Sequence, residues 1–309
     1  MNSISVVICT KDRPDSVNRL VNALKKQSFK DFETIVVDTG NKETEKVCKD
    51  QSVKYIKETR PGRCLARNIG IENAKGDIIF FFDDDTAPEE NYIKKIMKHF
   101  DDESVVGAGG REITVIENGR ASMSLLSKFE AVLVYILNPF IKNKEIGIIR
   151  PSGRATANFN MDPGHTVDVM YLKGFAMAFR KNALLRAGMF DEWYDRVAHR
   201  EENDICARII KKGYRIVYDP SAVVKHYHSE AGRSDHYTAM YCMYKQHQYF
   251  VFKNDMLKGF GWIEYLFGEA LESMMIFIKL FIYKDWRFLG LFRAKYEGIR
   301  EGLRRKWMA

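Results

Sequence analysis

The stretch DIIFFFDDDTAP (residues 77–88) joins the most apolar short run of the sequence to three adjacent carboxylates. The run from Asp77 to Phe82 has the length and composition of a buried strand. Burying a carboxylate costs several kcal/mol unless it is neutralised, and neighbouring like charges repel each other. The triplet Asp83, Asp84 and Asp85 therefore requires a positive group at the end of this strand.

Strand-like and helix-like stretches alternate around this run. The predicted strands are 4–9, 32–37, 53–56, 77–82 and 105–108, and the predicted helices are 14–27, 43–51, 64–74 and 88–100. Further strands are predicted at 171–179 and 215–218, and further helices at 181–187 and 202–212. Such alternation predicts an α/β fold with a mostly parallel sheet and helices on both faces.

Aspartates follow two of the predicted strands, since Asp38 ends the second strand and the triplet ends the fourth. Ligands of open parallel sheets bind at the carboxyl ends of the strands. A hard divalent cation stabilises carboxylates clustered there, and Mg²⁺ completes its shell with water and substrate phosphates. The pattern predicts a metal–diphosphate site with Mn²⁺ or Mg²⁺. The alternative is a solvated acidic turn that caps the next helix.

The 309-residue chain has globular composition, with 46% hydrophobic and 29% charged residues, which excludes a disordered chain. Its five cysteines are scattered without a CxxC pair, so neither a zinc site nor a disulfide framework is expected. The first ten residues, MNSISVVICT, indicate a strand rather than a signal peptide. These features favour a reducing cytoplasm.

The net charge of +8 is concentrated near the end of the chain, because residues 279–306 contain nine basic and three acidic residues, a net +6. A basic segment beside apolar sequence indicates an anionic surface: a membrane, an acidic polymer or, less favoured, nucleic acid. The composition also changes after residue 235, where the sequence becomes rich in aromatic residues with helical spacing. The sequence therefore predicts a catalytic domain over 1–235 and an amphipathic, basic helical region over 236–309.

The stretch WIEYLFGEALESMMIFIKLFIY (262–283) is strongly apolar, but its uninterrupted apolar runs are much shorter than the ~20 residues that span a bilayer. At about 100° per residue, Glu264, Glu269, Glu272 and Lys279 share one sector of a helix. An amphipathic helix is predicted. It either packs on the catalytic domain or a homodimer partner, or lies in a membrane interface. A second apolar stretch, FEAVLVYILNPF (129–140), predicts a buried helix.

Several motifs in the expected order are similar to those of glycosyltransferase family 2, over residues 3–228. They are ISVVICTKDRP (4–14), ETIVVDTG (33–40), RPGRCLARNIGIENAKGDIIFFFDDDTAP (60–88), GFAMAFRKNALLRAGMFDE (174–192) and REENDICARIIKKGYRIVYDPSAVVKH (200–226). The resemblance implies the Rossmann-like GT-A fold with its DXD motif and an inverting sugar transfer. It also implies a nucleotide-sugar-binding half at 1–110 and an acceptor and catalytic half at 111–235.

The resemblance implies a role for each matching residue. The residues expected to bind the nucleotide sugar are Thr10, Arg13, Asp38, Arg63, Arg67, Asp83 and Asp84. Asp38 is expected to meet the base, and Arg63 and Arg67 the base or diphosphate. The residues expected at the metal are Asp85, Asp83 and His226. Surface salt bridges are the alternative role for the arginines, and helix capping is the alternative for Thr10.

The segment Glu201-Glu202-Asn203-Asp204 matches the family's catalytic ED-x-D segment, with Glu202 in place of the usual aspartate. Glu202 is the expected base for the acceptor hydroxyl, and the adjacent Glu201 is expected to raise its pKa. Alternatively, both glutamates only complement the helix dipole. Asp204 is expected to shape the start of the helix.

Three further residues are candidates on weaker patterns. His226 and His228 share one face of an extended KHYH segment, and His226 matches the family position near the metal better. Asp191 and Trp193 follow the GMF loop and are expected on the acceptor side, where Trp193 would stack on a sugar. A structural histidine and ordinary aromatic packing are the alternatives.

The expected function is metal-dependent transfer of a sugar from a UDP-, GDP- or dTDP-sugar to a glycan or lipid-linked acceptor hydroxyl. Surface polysaccharide, glycolipid or glycoconjugate synthesis, on the inner face of the cell membrane, is the expected setting. One alternative is an inactive sugar-nucleotide-binding subunit of a membrane complex, which the intact triplet and Glu202 disfavour. A nucleotidyltransferase is also disfavoured, because TKDRPDS (10–16) lacks the glycines of a phosphate loop.

Overall fold

The computed structural model describes residues 3–40, 42–115, 144–194, 197–227 and 235–307. The chain divides into two compact units: unit 1 comprises Met1–Glu117 and Phe159–Arg233, and unit 2 comprises Asn118–Asn158 and Ser234–Ala309. The described residues 144–158, which the sequence analysis grouped with the catalytic half, thus belong to unit 2. The helix predicted at 129–140 and the candidate His228 lie outside the described residues.

Eleven strands occur within the described residues. In chain order they are β1 (Ile4–Thr10), β2 (Phe32–Asp38), β3 (Lys54–Lys57), β4 (Ile78–Asp83), β5 (Thr86–Pro88), β6 (Val105–Thr114), β7 (Ile148–Ile149), β8 (Ala155–Thr156), β9 (Val167–Asp168), β10 (Ala176–Arg180) and β11 (Arg215–His226). The helices of unit 1 are α1 (Pro14–Lys25), α2 (Lys42–Asp50), α3 (Arg63–Asn73), α4 (Tyr92–Met97), α5 (Lys181–Arg186) and α6 (Glu201–Ile210).

Nine of the described strands form one sheet in the order β3-β2-β1-β4-β10-β6-β11-β5, with β9 paired to β11. Parallel pairing joins β1 to β2 and β4, β2 to β3, and β6 to β11. β10 is antiparallel to β4 and β6, and β5 and β9 are antiparallel to β11. Six of these nine strands therefore point the same way, and the predicted α/β class with a mostly parallel sheet is confirmed.

The central strands are apolar on both faces because helices cover them. In β1, Val6, Val7 and Ile8 are fully buried, and β4 buries the three phenylalanines of the FFF run. A continuous apolar run of this kind is typical of parallel strands covered on both sides. Gly70 of α3 lies so close to Val7 that a Cβ there would sit 2.3 Å from its Cγ1, so glycine sets the close approach of helix and sheet.

Several predicted boundaries were wrong: the strand predicted at 105–108 continues to Thr114, and the strand predicted at 171–179 begins at Ala176. Two further errors have a common reason. The residues after the acidic triplet form β5 and not a helix start, so α4 begins at Tyr92 and not at Pro88. The strand predicted at 215–218 continues to His226 as β11. Thr86 of β5 pairs with His226 of β11. Long-range pairing stabilises both extensions, and local propensity does not report such pairing.

Unit 2 contains three long helices and a two-stranded antiparallel ribbon of β7 and β8. The helices are α7 (His236–Lys253), α8 (Gly261–Tyr283) and α9 (Gly290–Lys306). An apolar core made of Met240, Tyr244, Ile276, Leu280, Phe288, Leu291 and Ala294 joins them. Every helix within the described ranges is too short or too polar to span a bilayer.

Candidate active site

Sheet pairing gathers the polar ends of four strands at one edge. In the parallel register Thr10 of β1 faces Asp38 of β2, and Cys9 of β1 faces Asp83 of β4. β11 reaches this edge from the other side, since its last residue, His226, pairs with Thr86. The carboxyl ends of β1, β2, β4 and β11 therefore place their side chains around one region, where ligands of such sheets bind.

Asp84, the middle member of the triplet, points toward the loop that follows β1. Its Oδ2 accepts a hydrogen bond from Oγ1 of Thr10 at 2.6 Å, and its Oδ1 accepts one from Nη1 of Arg13 at 2.9 Å. Burial raises the pKa of Asp84 to about 6, although Arg13 and Thr10 favour the charged form. Asp84 thus holds Thr10 and Arg13, two predicted nucleotide-binding residues, in place.

Asp85 lies between His226 and Arg13: its Oδ1 faces the histidine, and its Oδ2 lies 3.8 Å from Nη1 of Arg13. Nε2 of His226 lies 3.1 Å from Oδ1 of Asp85, and Nδ1 of the same ring lies 2.7 Å from Oε1 of Glu112 on β6. Nζ of Lys173 donates to the second oxygen of Glu112 at 2.8 Å. Asp85, His226, Glu112 and Lys173 thus form one chain of charged contacts. Glu112 and Lys173 lie on the side of the imidazole ring that is away from Asp85.

Asp83, Asp85 and His226 can hold a metal ion together. Each offers one ligand atom, and these atoms lie within 4.8 Å of one another. Two carboxylate oxygens and one imidazole nitrogen are an acceptable donor set for Mn²⁺, and two carboxylates are as many as Mg²⁺ usually takes from protein. Glu112 orients the ring from its far nitrogen, as second-layer carboxylates do at metal-bound histidines. The residues present therefore suit a divalent cation.

Asp38 is fully buried at the end of β2. Its Oδ1 accepts a hydrogen bond from the backbone N–H of Gly40 at 2.6 Å, and its Oδ2 accepts one from the hydroxyl of Tyr55 on β3 at 3.0 Å. Both contacts stabilise the carboxylate and fix its direction. The sequence analysis missed Tyr55, because only the pairing of β2 with β3 brings it next to Asp38.

Arg67 of α3 lies at the centre of the acidic residues. Its side chain is 3% exposed; Nη1 lies 3.3 Å from Oε1 of Glu201, and Nη2 lies 3.6 Å from Glu202 and 3.8 Å from Asp83. Arg63, one turn earlier, is 3.6 Å from Glu201 and is 44% exposed. Arg67 thus connects Glu201 and Glu202 with Asp83, whereas Arg63 presents its charge to solvent.

Glu202 has the acid–base property that a general base needs. Burial and, next, the charge of Glu201 raise its pKa from 4.5 to about 7, against the opposing effect of Arg67 and Arg63. A base with a pKa near the working pH combines correct ionisation with a useful drive to accept a proton. Asp204, two residues on, is instead paired with Arg208 at 2.7 Å within α6.

The backbone around Glu202 allows its side chain to lie close to Arg67. Arg200, immediately before α6, has a left-handed conformation with φ of 73°, which is uncommon for a residue with a side chain. A Cβ at Gly174 would lie 2.2 Å from Oε1 of Glu202 and 2.5 Å from Nη2 of Arg67. Glycine therefore leaves the room in which Glu202 and Arg67 meet.

Asp191 and Trp193 lie in the loop that follows α5. Oδ1 of Asp191 accepts the N–H of Trp193 at 3.0 Å, and the indole packs edge-on against Tyr194. Asn68 of α3 fastens this loop: its amide donates to the carbonyl of Phe190 and accepts the N–H of Phe190, both at 2.9 Å. The loop is therefore tied to the helix that carries Arg67.

The structure brings most of the predicted site residues into two connected groups. Asp83, Asp84, Asp85, Thr10, Arg13 and His226 form one group, and Arg63, Arg67, Glu201 and Glu202 form the other. Asp38 pairs with Thr10 across the sheet, and its side chain contacts Gly40 and Tyr55. Glu112, Lys173, Tyr55, Asn68 and Gly174 were missed, because nothing local in their sequence marks them.

The chain is similar to known glycosyltransferases. The profile of the family described as Glycosyl transferase family 2 matches residues 5–185. The Pre-mycofactocin glycosyltransferase of Mycobacterium tuberculosis is 24% identical over 235 residues, which cover 73% of this chain and 43% of the relative. The Glucosyl-dolichyl phosphate glucuronosyltransferase of Haloferax volcanii is 22% identical over 237 residues, covering 72% of this chain and 68% of the relative. The chain thus spans less than half the length of the mycobacterial relative.

The same architecture occurs in a solved structure. The mannosyltransferase PcManGT from Pyrobaculum calidifontis, in complex with GDP-Man and Mn²⁺, aligns with a TM-score of 0.56 at 14% identity, covering 99% of this chain and 88% of that chain. At this identity the likeness concerns the fold, and the expected GT-A fold is confirmed. Since the family profile covers more than half of the sequence, the chain belongs to glycosyl transferase family 2.

Proposed function

We propose that this protein transfers a sugar from a nucleotide-diphosphate sugar to an acceptor hydroxyl, with inversion at the anomeric carbon. One observation carries the proposal: Arg67 lies 3.6 Å from Glu202 and 3.8 Å from Asp83. Arg67 therefore lies beside both Glu202, whose pKa suits a general base, and Asp83, one of the candidate metal ligands. Transfer of this kind needs a base for the acceptor and neutralisation of the departing diphosphate.

Glu202 accepts the proton of the acceptor hydroxyl as its oxygen attacks the anomeric carbon. A bond forms from this oxygen to the carbon, and the bond from the carbon to the diphosphate oxygen breaks. The electron pair of that broken bond leaves with the diphosphate. Because the base and the leaving group lie on opposite sides of the reacting carbon, the configuration inverts. Gly174 contributes the space for Glu202 beside Arg67.

Asp83, Asp85 and His226 would hold the divalent cation, which supplies positive charge to the diphosphate when it is bound. Mn²⁺ is the favoured ion, because PcManGT was solved with Mn²⁺. Arg13 and Arg63 are partly exposed, at 18% and 44% of their side chains, and add cationic groups for the donor. Asp38, held by Tyr55, is the proposed contact for the base.

The donor is proposed to be a UDP-, GDP- or dTDP-sugar, and Asp191 and Trp193 are proposed to line the acceptor side. A lipid-linked acceptor is favoured, because the name of one relative specifies a glucosyl-dolichyl phosphate. This acceptor class agrees with synthesis of a surface polysaccharide or glycolipid on the cytoplasmic face of the membrane. In this proposal, residues 1–235 form the catalytic region.

Two measurements test the proposal. A thermal-shift panel of nucleotide sugars with and without Mn²⁺ should give stabilisation by one donor that depends on the metal. The product made from that α-linked donor should carry a β-linkage by nuclear magnetic resonance. A product with retained configuration would contradict the role of Glu202, and a panel without any metal-dependent stabilisation would contradict the donor class.

A further inference from the structure

Helix α8 is oriented with its apolar side chains outward. Within a sector of about 140° on this helix, every solvent-exposed residue is uncharged. This sector, here named the outer stripe, contains Trp262, Ile263, Leu266, Phe267, Ala270, Met274, Phe277 and Phe281. Phe281 is 76% exposed, and the least exposed of the large side chains is still 39% exposed. The stripe runs along about 30 Å of helix.

The charged residues of α8 point the opposite way, into unit 2. Nε of Arg150 donates to Glu264 at 2.5 Å, and Nη2 of Arg154 donates to Glu272 at 2.7 Å. Nζ of Lys295, on α9, lies 2.9 Å from Glu269 and 3.0 Å from Glu272. Three cations thus neutralise three carboxylates in the interior of this unit.

These ion pairs fix the rotation of α8 about its own axis. Turning the helix to bury the outer stripe would separate Glu264 from Arg150 and Glu272 from Arg154, and would leave buried charges without partners. Loss of one partner of a buried pair is strongly destabilising. The exposure of the stripe is therefore built into the unit, in contrast to an ordinary amphipathic helix, which buries its apolar face.

The stripe presents seven large, exposed apolar side chains on one helix face, and a contiguous apolar patch of this kind marks a site where a partner binds. The residues that flank the stripe at its two ends indicate the chemistry of that partner. Lys258 and Phe260 precede the helix, and Lys284 and Trp286 follow it; all four are exposed, Phe260 by 85% and Trp286 by 74%. Lysines beside aromatic rings at the ends of an apolar helix suit anionic headgroups above an acyl interior.

A second copy of the chain suits this surface less well. If two outer stripes paired head to tail, Lys258 of one copy would approach Lys284 of the other. If they paired head to head, each lysine would approach its own equivalent. Like charges would meet at both ends in either case, and the stripe itself offers no carboxylate to offset them. The nearby acids are already engaged, Asp285 with Arg287 and Asp255 with Lys306.

We propose that the outer stripe of α8 inserts lengthwise into the interface of an anionic phospholipid bilayer. The stripe enters the boundary between headgroups and acyl chains, about 5–10 Å deep. Lys258 and Lys284 contact lipid phosphates at its two ends. The proposal concerns unit 2 alone and does not depend on the transferase activity proposed above.

The test compares the full chain with a double variant, Ile263→Glu with Phe281→Glu, by co-sedimentation with vesicles. One set of vesicles is pure phosphatidylcholine, and the other contains a third phosphatidylglycerol. Both substituted residues are exposed, so the variant should keep the melting temperature of the unmodified protein. The unmodified protein should bind the anionic vesicles at least tenfold more strongly than the variant does. Met243→Glu, at an exposed position on α7 outside the stripe, is the matched control and should bind like the unmodified protein.

Two further readouts make the result decisive. Brominated acyl chains should quench tryptophan fluorescence in the unmodified protein, and the combined change Trp262→Phe with Trp286→Phe should lose most of that quenching. Sedimentation velocity without lipid should show the same species for the unmodified protein and the double variant. Equal vesicle binding by these two proteins would overturn the proposal. A dimer that the double variant abolishes, together with absent vesicle binding, would overturn it in favour of a second copy.

Discussion

Nδ1 of His226 lies 2.7 Å from Oε1 of Glu112, while Nε2 of the same ring faces Asp85. A carboxylate only accepts hydrogen bonds, so Glu112 keeps the proton of the neutral imidazole on Nδ1. Nε2 is thereby left as a lone-pair donor beside the carboxylates of Asp83 and Asp85, the other two residues of the candidate cation site. Lys173 neutralises the other oxygen of Glu112 at 2.8 Å. Glu112 is thus a positioning residue for the metal site.

Glu112→Gln should weaken Mn²⁺ binding by roughly 10–100-fold, the usual effect of removing a carboxylate behind a metal-bound histidine. The amide can donate to Nδ1, which moves the ring proton to Nε2 and blocks the ligand atom. Electron paramagnetic resonance of free Mn²⁺ during a titration measures the affinity directly. Glu103→Gln, at an exposed position, is the matched control. An affinity within about twofold of the unmodified protein would contradict this role.

Asp85→Asn and Asp84→Asn should differ, although the two residues are adjacent. Asp85 faces His226, so its loss should reduce Mn²⁺ affinity by more than about tenfold and abolish transfer. Asp84 faces Thr10 and Arg13, so its loss should mainly weaken donor binding and leave Mn²⁺ affinity within about threefold. The same Mn²⁺ titration and a donor titration separate these effects. Equal loss of metal in both variants would show that the triplet binds as a unit.

Glu202→Gln should retain donor binding and lose transfer by about 10²–10⁴-fold, the range expected for a positioned general base. The amide preserves the shape beside Arg67 and Gly174 but accepts no proton. Single-turnover rates with saturating donor measure the chemical step, and calorimetry measures donor affinity. Glu103→Gln, at an exposed position outside the site, again serves as the control. Transfer at the unmodified rate in Glu202→Gln would require a different base.

The transfer rate should fall as the pH drops through about 7, because Glu202 then takes up a proton and no longer acts as a base. An ordinary glutamate would remain ionised down to a pH near 4.5. A pH profile of kcat/KM for the free enzyme therefore places the acidic limb near neutrality. An acidic limb near pH 4.5 would mean that the base is a solvated carboxylate elsewhere.

The same shift predicts a pH-dependent effect on stability. The folded pKa of Glu202 is raised, so its favourable contribution is fully present below about 4.5 and is lost as the pH rises through about 7. Glu202→Gln should therefore match the unmodified protein at pH 4.5 and be more stable at pH 8.5, by ~1–3 kcal/mol. Chemical denaturation at both pH values measures this difference. Destabilisation at pH 8.5 would mean that the contacts with Arg67 outweigh the cost of burying the charge.

Tyr55→Phe should destabilise the protein by ~1–3 kcal/mol, because it removes the hydroxyl that donates to the buried carboxylate of Asp38. Urea denaturation monitored by circular dichroism measures the change. Tyr296→Phe removes a hydroxyl from a 63% exposed side chain and should change stability by less than about 0.5 kcal/mol. Equal stability of both variants would show that the N–H of Gly40 suffices for Asp38.

The linear sequence determined the elements and the strand ends. An apolar run that stops at a carboxylate is a local pattern, so Asp38 and Asp83 mark the ends of β2 and β4. The family motifs extended this reading to Arg67, Glu202 and His226. β5 was not predicted and β11 was predicted too short, because these two strands stabilise each other through pairing between distant segments.

Only the tertiary structure determined which partner each charged side chain faces. Asp84 and Asp85 are neighbours in the chain, yet Asp84 accepts from Thr10 and Arg13, while Oδ1 of Asp85 lies beside His226 and its Oδ2 is 3.8 Å from Arg13. Glu112 joined the site through the pairing of β6 with β11. Helix α8 looked amphipathic in the sequence, but Arg150, Arg154 and Lys295 turned its acidic face inward, because a buried carboxylate needs a cation and an exposed apolar side chain does not.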